Sequence, residues 1–359
     1  MKEFFRKGLF AVQNIYKALP VRLLPWFREN ARDLPWRKDK NPYRVWLSEI
    51  MLQQTRVEAV RGYFLQFLEA FPHIRALAEA DPDAVLKKWE GLGYYSRARN
   101  LQKAAKVIME VHDGKFPETY AEILALPGIG AYTAGAISSI CFEKPTPAVD
   151  GNVLRVTARM TDSHSPIDLP AVKKEVTGNL EKIYPAGSCG DFTQSLMELG
   201  ATVCTPKSPH CTACPLSDIC LAKKHGTAAV LPKKTPKKQR RKEEKTVFFF
   251  TCGDKVAVQK RNAEGLLANL WEFPNIPDVL SADAAVKAAT AFGVLPDAPT
   301  KAKERIHIFT HIEWHMTCYY IPCRNTPSCF VWVKQDELSQ SIALPTAFKM
   351  FLEDDDDRI

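Results

Sequence analysis

Four cysteines lie close together in the sequence. Cys204, Cys211, Cys214 and Cys220 are separated by six, two and five residues in a chain with ten cysteines. Four thiolates at such a spacing bind either a zinc ion or an iron–sulfur cluster, and the spacing alone favours zinc. Because the other six cysteines are dispersed, the pattern predicts a metal site rather than a disulfide framework, and therefore a cytoplasmic protein in a reducing compartment.

Two glycines and an aspartate form a second group. The stretch from Leu126 to Gly130 reads Leu-Pro-Gly-Ile-Gly between two helical stretches. Gly128 and Gly130 permit a tight turn whose backbone N–H groups bind a phosphate at a helix start, although a lone Gly-x-Gly is more often a plain turn. Asp150 precedes a predicted helix, so we expect it to be an N-cap with its carboxylate held ionised.

Glu49 is the third candidate. It lies in a helix predicted over 43–70, with Val45 and Trp46 one turn before it and Leu52 after it. Apolar surroundings disfavour the charged form of a carboxyl group, so we expect a raised pKa and an acid that works near neutral pH. The alternative interpretation is an ordinary exposed helical glutamate.

The elements that must hold these residues are mostly helical. Apolar residues recur at threes and fours through residues 1–225, with further helices predicted over 83–89, 97–111, 118–125, 131–142 and 171–183. Residues 226–245 contain proline and many basic residues with no apolar period, which predicts a linker.

The apolar period then changes to two, which predicts an α+β domain over residues 246–359. Residues 246–261 read as a β-hairpin around Cys252, Gly253 and Asp254. The alternation from Ile306 to Met316 is typical of a strand, and CFVWVKQ predicts another. Helices are expected at ADAAVKAATAF and PTAFKMFLE.

Composition limits the class of protein. The chain has 359 residues, of which 46% are hydrophobic and 25% charged, as in ordinary globular proteins of about two domains. No apolar run could cross a bilayer and no signal peptide is evident, so no membrane partner is expected. The net charge is +8; residues 226–246 contribute +6, which suits a polyanion such as DNA, and the EDDDDRI end contributes −4.

Four segments together carry a resemblance to a known family. PYRVWLSEIMLQQT, GLGYYSRARNL, LPGIGAYTAGAI and VDGNVLRV resemble the MutY-type adenine DNA glycosylases of the helix-hairpin-helix endonuclease III superfamily, over residues 20–225. The resemblance implies a multidomain protein whose all-α glycosylase domain, 1–225, has a [4Fe–4S] loop at 204–220. It implies a monomer that binds double-stranded DNA and hydrolyses the N-glycosidic bond of adenine mispaired with 8-oxoguanine or guanine.

The resemblance also implies roles for individual residues. Glu49 protonates the adenine, Asp150 stabilises the sugar cation, and Gln54 and Tyr94 enter the base stack. Tyr132 occupies the place of the lysine that forms an imine in bifunctional relatives, which predicts a monofunctional enzyme. The DNA or base contacts implied in this domain are at Trp36, Arg37, Leu52, Gln54, Thr55, Leu92, Gly93, Tyr94, Gly128, Gly130 and Gln194.

The C-terminal segment GLLANLWEFPNI resembles the MutT (Nudix) fold. The segment after it has two Asp and no Glu, so the metal-binding helix of a Nudix hydrolase is missing and a recognition role is expected. Phe309, Thr310 and His311 match the Phe-Ser-His loop by which MutY-type proteins sense 8-oxoguanine; the alternative is a core strand with one exposed hydroxyl.

Three other functions remain open from the sequence. One is an endonuclease III-type enzyme that cleaves strands at oxidised pyrimidines, against which Tyr132 and the extra domain speak. Another is a non-enzymatic DNA-binding module, which leaves the pairing of Glu49 with Asp150 unexplained. A Nudix nucleotide hydrolase is the third.

Overall fold

Apolar residues at helical spacing produce helices through the first two thirds of the chain. The computed structural model describes residues 2–236 and 239–352. In chain order these helices are α1 (Lys2–Asn30), α2 (Pro42–Leu52), α3 (Val57–Ala70), α4 (Ile74–Glu79), α5 (Pro82–Lys88), α6 (Ser96–Val111), α7 (Tyr120–Ala125), α8 (Ala131–Phe142), α9 (Gly151–Met160), α10 (Pro170–Glu181), α11 (Cys189–Thr202) and α12 (Leu221–His225). Within the described residues, none of the helices has both the length and the apolar character needed to cross a membrane.

The remaining elements form a mixed sheet with short helices. They are β1 (Arg241–Cys252), β2 (Lys255–Lys260), β3 (Trp271–Glu272), β4 (Asn275–Ile276), α13 (Ala282–Ala291), β5 (Lys301–Ile308), β6 (Ile312–Pro322), β7 (Val331–Lys334), α14 (Gln335–Gln340) and α15 (Thr346–Lys349). The strand order is β3-β2-β1-β6-β5, with β4 on β1 and β7 on β2. β1 and β6 run parallel, while β1 with β2 forms the predicted hairpin.

The chain divides into two compact units that do not follow the sequence order. Unit 1 is Met1–Ala78 with Lys103–Pro236, and unit 2 is Glu79–Gln102 with Lys237–Ile359. By its contacts the segment 79–102 groups with the C-terminal part of the chain, although the sequence predicts it inside a helical domain of 1–225.

Polar contacts hold the segment 79–102 in unit 2. The Glu90 carboxylate accepts a hydrogen bond from the Leu344 backbone N–H at 3.0 Å and pairs with Lys349 at 3.0 Å. Asp83 pairs with Lys260 at 2.8 Å, and Arg99 donates to the Ala268 carbonyl. These contacts join α5, the start of α6 and the turn between them to β2, to the loop before β3 and to the segment around α15.

The helix predicted over 43–70 is two helices. α2 ends at Leu52 and α3 begins at Val57, because Gln54 takes a left-handed conformation with φ 60°. The turn closes with a hydrogen bond from the Thr55 N–H to the Leu52 carbonyl. No glycine or proline marks the break, so the apolar period ran through it.

Two other sequence interpretations need correction. The alternation from Ile306 to Met316 is a hairpin of β5 and β6, turning at 309–311, where the Phe309 N–H donates to the Ile312 carbonyl at 2.8 Å. Residues 241–245 of the predicted linker belong to β1, because their backbone pairs with β6 from Ile312 onward. The acidic end, 353–359, lies outside the described residues.

The first part of the predicted linker is attached to unit 1. Leu231 is buried, the Ile167 N–H donates to the Lys233 carbonyl at 3.0 Å, and the Thr235 N–H donates to Asp168 at 3.0 Å. Residues 226–236 therefore belong to the helical unit and follow the loop that comes after α9.

Candidate active site and iron–sulfur loop

Glu49 is buried in the middle of α2. Only 6% of the surface of Glu49 is exposed to solvent. The Tyr132 hydroxyl from α8 donates a hydrogen bond to Glu49 Oε2 at 2.5 Å. Burial raises the pKa of Glu49 to about 7; the Tyr132 hydrogen bond opposes this rise, the Asp150 charge adds to it, and the Arg37 charge opposes it. The interpretation of Glu49 as an exposed helical residue is wrong, and the carboxyl is poised to hold a proton near neutral pH.

Tyr132 is positioned as a donor that stays protonated. Burial and the nearby carboxylates of Glu49 and Asp150 raise its pKa well above the ordinary value. Its hydroxyl lies 3.8 Å from the Met197 sulfur, a weak second acceptor. A neutral phenol can stabilise the Glu49 carboxylate but cannot form an imine with a sugar.

Asp150 is the N-cap of α9, as predicted. Its Oδ1 accepts from the Val153 N–H at 2.7 Å, and its Oδ2 accepts from Asn152 Nδ2 at 2.8 Å. Burial nevertheless raises the pKa of Asp150, and this outweighs the hydrogen bonds that lower it. Burial therefore opposes the ionisation that the N-cap hydrogen bonds favour, because this carboxyl is less hydrated than an exposed cap.

A chain of hydrogen bonds leads from Asp150 to the cysteine loop. Arg155 Nη2 donates to Asn152 Oδ1 at 2.8 Å, and Arg155 Nε donates to the Cys204 carbonyl at 2.8 Å. Arg155 Nη2 also donates to the Gly200 carbonyl at 2.7 Å. A Cβ on Gly200 would lie 2.6 Å from Asn152 Cβ, so only glycine lets α11 pack this closely on α9.

The four predicted cysteines surround one cavity. Cys204, Cys211, Cys214 and Cys220 are all unbridged thiols that line it together with Arg159. Burial first, and then the neighbouring thiols, raise the pKa of Cys214 to about 11, a cost that a bound cationic cluster removes by stabilising thiolates. Among the described residues, no three metal-binding side chains converge closely enough to hold a single ion.

Arg159 supports this loop from α9. Its side chain is buried and donates to the Thr205 carbonyl at 2.7 Å, to the Pro206 carbonyl at 3.0 Å and to the Cys204 sulfur at 3.3 Å. Its Nε donates to the Leu231 carbonyl at 3.0 Å. The guanidinium thus satisfies the loop backbone and places a hydrogen-bond donor beside the Cys204 sulfur.

A buried carboxylate on α11 holds two arginines. Glu198, fully buried, accepts from Arg32 Nε at 2.7 Å and from Arg37 Nη2 at 2.8 Å. Burial alone would raise the pKa of Glu198, but the hydrogen bonds from Arg32 and Arg37 lower it to about 2. Glu198 is therefore ionised throughout the physiological range.

Residues of unit 1 that are expected to contact DNA lie in exposed turns. Gln54 is exposed at the turn between α2 and α3. Gly128, with φ 76°, and Gly130 form the turn between α7 and α8, and Gly130 caps α8 without any side-chain hydrogen bond to the helix. This leaves the first N–H groups of α8 available to an anion.

The residues expected to contact the lesion lie in unit 2. Tyr94 is 47% exposed with φ 46°, and its hydroxyl forms a hydrogen bond of 2.9 Å with Thr310 Oγ1. Phe309 packs edge-on against Trp314 at 4.8 Å between ring centroids, and His311 is exposed at the β5–β6 turn. The structure thus joins two sequence motifs that lie more than 200 positions apart.

The other predicted contacts are placed as follows. Trp36 is buried edge-on against Phe64 at 5.4 Å between ring centroids. Leu52, Thr55 and Gln194 are half-buried in unit 1, whereas Leu92 is buried and Gly93 is half-buried in unit 2. Trp36 therefore belongs to the core of unit 1, and the contact of each of these residues with a base stays a prediction.

Sequence reasoning did not find Asn152, Arg155, Arg159, Arg32 or Glu198. Asn152 and Arg155 lie in the quoted DGNVLRV segment, and two arginines four positions apart on one helix after a candidate catalytic aspartate were a usable signal. Glu198 lies one turn after Gln194 on α11, but no sequence pattern near Glu198 predicts that it pairs with two arginines.

Proteins named adenine DNA glycosylase align with most of this chain. Adenine DNA glycosylases of Buchnera aphidicola, Mus musculus and Homo sapiens are 35%, 33% and 34% identical to it over 84%, 93% and 91% of its length. The alignments cover 85%, 78% and 72% of those proteins. The chain belongs to the adenine DNA glycosylase family.

Three family matches agree with this assignment. Residues 47–183 match the HhH-GPD superfamily base excision DNA repair proteins, residues 204–220 the iron-sulfur binding domain of endonuclease III, and residues 246–354 the NUDIX domain. The predictions of a helix-hairpin-helix glycosylase domain, a [4Fe–4S] cofactor and a Nudix-like domain are confirmed. The match over residues 204–220 favours this cluster over the zinc ion that the cysteine spacing alone favoured.

Solved structures support the helical fold. A thermostable thymine-DNA glycosylase is 27% identical, with a TM-score of 0.54 over 60% of this chain and 99% of that chain. Endonuclease III in a non-covalent DNA complex is 24% identical, with a TM-score of 0.51 over 60% of this chain and 97% of that chain, and shares the fold.

Proposed function

We propose that this adenine DNA glycosylase hydrolyses the N-glycosidic bond of adenine mispaired with 8-oxoguanine or guanine in duplex DNA. The observation that carries the proposal is the buried Glu49, hydrogen-bonded by Tyr132 and with a pKa raised to about 7. A carboxyl group with this pKa is protonated often enough at neutral pH to donate a proton to a leaving base.

The target nucleotide leaves the base stack before reaction, since its glycosidic bond is inaccessible in a duplex. Gln54, exposed in the turn directly after α2, fills the gap that the adenine leaves. The turn of Gly128 and Gly130 binds a backbone phosphate through the uncapped start of α8. These contacts fix the flipped nucleotide near Glu49.

Bond cleavage then uses two carboxyl groups with different tasks. The Glu49 proton moves to N7 of adenine, the electron pair of the C1′–N9 bond goes to the base, and neutral adenine departs. The remaining sugar cation favours the ionised form of Asp150, which stabilises it through charge. Water adds at C1′, and its proton passes to Glu49, which restores the acid and leaves an apurinic site.

The four cysteines, Cys204, Cys211, Cys214 and Cys220, hold the [4Fe–4S] cluster, which supplies structural cross-linking of the loop when bound. Arg159 and Arg155 anchor that loop to α9, and α9 begins at Asp150. Iron analysis of the purified protein tests this: four iron and no zinc are expected per chain, with visible absorbance near 400 nm. One zinc and no iron would contradict it.

Tyr132 in the place of a lysine supports a monofunctional reaction. The phenol is neutral and hydrogen-bonded to Glu49, and no imine with the sugar can form through it. Strand breaks are therefore expected only after alkali or heat. Efficient borohydride trapping of the protein on DNA would favour the bifunctional alternative.

Recognition of the base opposite adenine falls to the pair Tyr94 and Thr310. The Tyr94 ring enters the stack beside that base, and the Thr310 and His311 side chains contact its oxidised edge. Threonine keeps the hydroxyl of the serine found in this loop elsewhere in the family. We propose that the protein acts as a monomer on DNA inside the cell.

One assay tests the reaction and its rivals together. Duplexes containing adenine opposite 8-oxoguanine, adenine opposite cytosine, and thymine glycol opposite adenine are incubated with the protein and analysed with and without alkali. Cleavage of the first after alkali, with no cleavage of the others, is expected. Alkali-independent cleavage of the thymine glycol duplex would support the endonuclease III-type alternative, and no cleavage of any duplex would support a binding module.

A further inference from the structure

Two arginines share a single buried carboxylate near the proposed acid. Glu198 makes three side-chain hydrogen bonds, two with Arg32 at 2.7 and 3.0 Å and one with Arg37 at 2.8 Å. It also accepts the Arg32 backbone N–H at 3.1 Å. A buried carboxylate bonded on both oxygens fixes its partners more tightly than an exposed ion pair.

Arg37 is held from two directions. Its Nη2 bonds Glu198, its Nη1 donates to the Arg32 carbonyl at 3.3 Å, and its guanidinium stacks on Phe27 at 5.5 Å from the ring centroid. Its side chain keeps only 16% of its area exposed. Removing Glu198 would free the guanidinium and leave the two positive charges unbalanced.

The charge of Arg37 acts on Glu49. Four titratable or charged groups interact electrostatically with Glu49. They are Tyr132 and Cys141 from α8, Asp150 at the start of α9, and Arg37. Among them Arg37 is the cation, and its charge lowers the pKa of Glu49. With Glu198 ionised at every physiological pH, the net charge of the two arginines and their partner is +1 rather than +2.

We infer that Glu198 is a positioning residue for adenine excision, which holds Arg37 in place and cancels one buried positive charge so that Glu49 retains its proton. The inference rests on the proposed function of Glu49. The carboxylate reaches neither the base nor the sugar in this role; it acts through Arg37.

Glu198→Gln tests the charge while it preserves the shape. The rate of single-turnover excision is expected to fall with rising pH because Glu49 loses its proton. In Glu198→Gln the extra positive charge stabilises the Glu49 carboxylate. The descending limb of the pH–rate profile, where the rate falls as Glu49 loses its proton, therefore moves to lower pH by about one unit. At pH values above this limb the excision rate falls about tenfold. At pH 5.5 the two proteins differ less, whereas a merely structural defect would lower the rate equally at every pH.

A substitution at Arg32 is expected to shift the pH–rate profile in the opposite direction. Arg32→Gln removes one cation and leaves Arg37 paired with Glu198, so the limb moves to higher pH. The double variant Glu198→Gln with Arg32→Gln restores the net charge of +1, and its limb returns toward the wild-type position. Because Arg32→Gln keeps the carboxylate, it tests the inference even where Glu198→Gln does not fold.

Glu198→Asp separates the charge from the reach of the side chain. The shorter carboxylate keeps the charge balance but misplaces Arg37, so the limb stays at the wild-type pH while KM rises. The matched control is Asp191→Asn, which removes a carboxylate of the same helix that faces Arg28 of α1 at 4.0 Å and is 38% exposed. This control is expected to leave the limb in place.

A measurement without turnover keeps this inference separate from the proposed reaction. The ¹³C carboxyl resonance of Glu49, assigned by its disappearance in Glu49→Gln, reports its pKa in the folded protein containing the cluster. A lower pKa in Glu198→Gln and a higher one in Arg32→Gln support the inference. Unchanged pKa values in both variants overturn it, whereas a wild-type protein that does not excise adenine overturns the proposed function alone.

Discussion

The site around Glu49 in unit 1 and the Tyr94–Thr310 pair in unit 2 differ in their exposure to solvent. Glu49 is 6% exposed and its partners come from inside the unit, while Tyr94 is 47% exposed and its hydroxyl bonds one turn residue, Thr310. Both places use a non-glycine residue with positive φ, Gln54 at 60° and Tyr94 at 46°. Such conformations cost about 1–3 kcal/mol and are retained where the side chain must be presented outward.

The difference predicts how large each contribution is. Burial changes the proton affinity of a carboxyl group. Loss of a buried catalytic carboxyl group therefore slows the chemical step by orders of magnitude. An exposed hydroxyl pair exchanges its bond for water with little loss, so it contributes to discrimination by a modest factor. Four variants test this contrast.

Glu49→Gln is expected to have the largest effect. The amide keeps the size of the side chain and its bond to Tyr132 but has no proton to give, so single-turnover excision falls by about 10²–10⁴-fold while binding to the mispair persists. Band-shift titration and quenched single-turnover assays measure the two quantities. A rate near the wild-type value would remove Glu49 from the mechanism.

The same substitution has a signature in stability. Folded Glu49 has a raised pKa, so the folded state binds more protons than the unfolded state between about pH 4.5 and 7. The wild-type free energy of unfolding therefore falls as pH rises through that window. Glu49→Gln is expected to flatten this fall, as measured by urea unfolding at pH 5 and pH 8; an identical fall in both proteins would mean that Glu49 is not buried in solution.

Asp150→Asn is expected to follow, with a loss of about 10²–10³-fold in excision, because a neutral amide cannot stabilise a cation. Asparagine caps a helix as well as aspartate does, so the melting temperature should change little. Thermal unfolding supplies the control. A small loss of activity in proportion to a lower melting temperature would reduce Asp150 to the N-cap of α9.

Thr310→Ala combined with His311→Ala is expected to act on selectivity. The ratio of excision opposite 8-oxoguanine to excision opposite guanine falls by about tenfold to a hundredfold, which is the value of one or two polar contacts. The absolute rate opposite guanine should stay close to wild type, since Glu49 is untouched. An unchanged ratio would assign lesion recognition to another part of the protein.

Tyr94→Phe is expected to have the smallest effect. The ring that enters the stack remains and only the bond to Thr310 is lost, so the same ratio falls by about two- to tenfold. A double-mutant cycle with Thr310→Ala measures the coupling of the two hydroxyls. Strict additivity would show that the 2.9 Å bond does not contribute to recognition.

Local patterns and segment resemblance were sufficient for much of the fold. α8, α13 and the β1–β2 hairpin lie where the apolar period and turn residues placed them. The break at Gln54 was missed because its backbone conformation carries no glycine or proline signal. The contacts of the segment 79–102 with unit 2 were missed because its partners Leu344 and Lys349 follow it by more than 200 positions.

The site was predictable where chemistry is local and not where it depends on burial. Glu49, Asp150 and the four cysteines stand in short motifs, so the sequence located them. The raised pKa of Asp150 depends on surrounding atoms that no motif encodes. Glu198 was missed because Arg32 lies 166 positions away from it, and only the packing of α11 against the N-terminal segment brings them together.

The discontinuous composition of unit 2 has a consequence for synthesis on the ribosome. Residues 79–102 emerge well before the sheet that completes their unit, because residues 103–236 must be made first. At about 5–20 residues per second, that interval is roughly ten seconds. During it the nascent chain holds Glu90 and Arg99 without Leu344, Lys349 and Ala268, so unit 2 closes only after translation has passed the last strand.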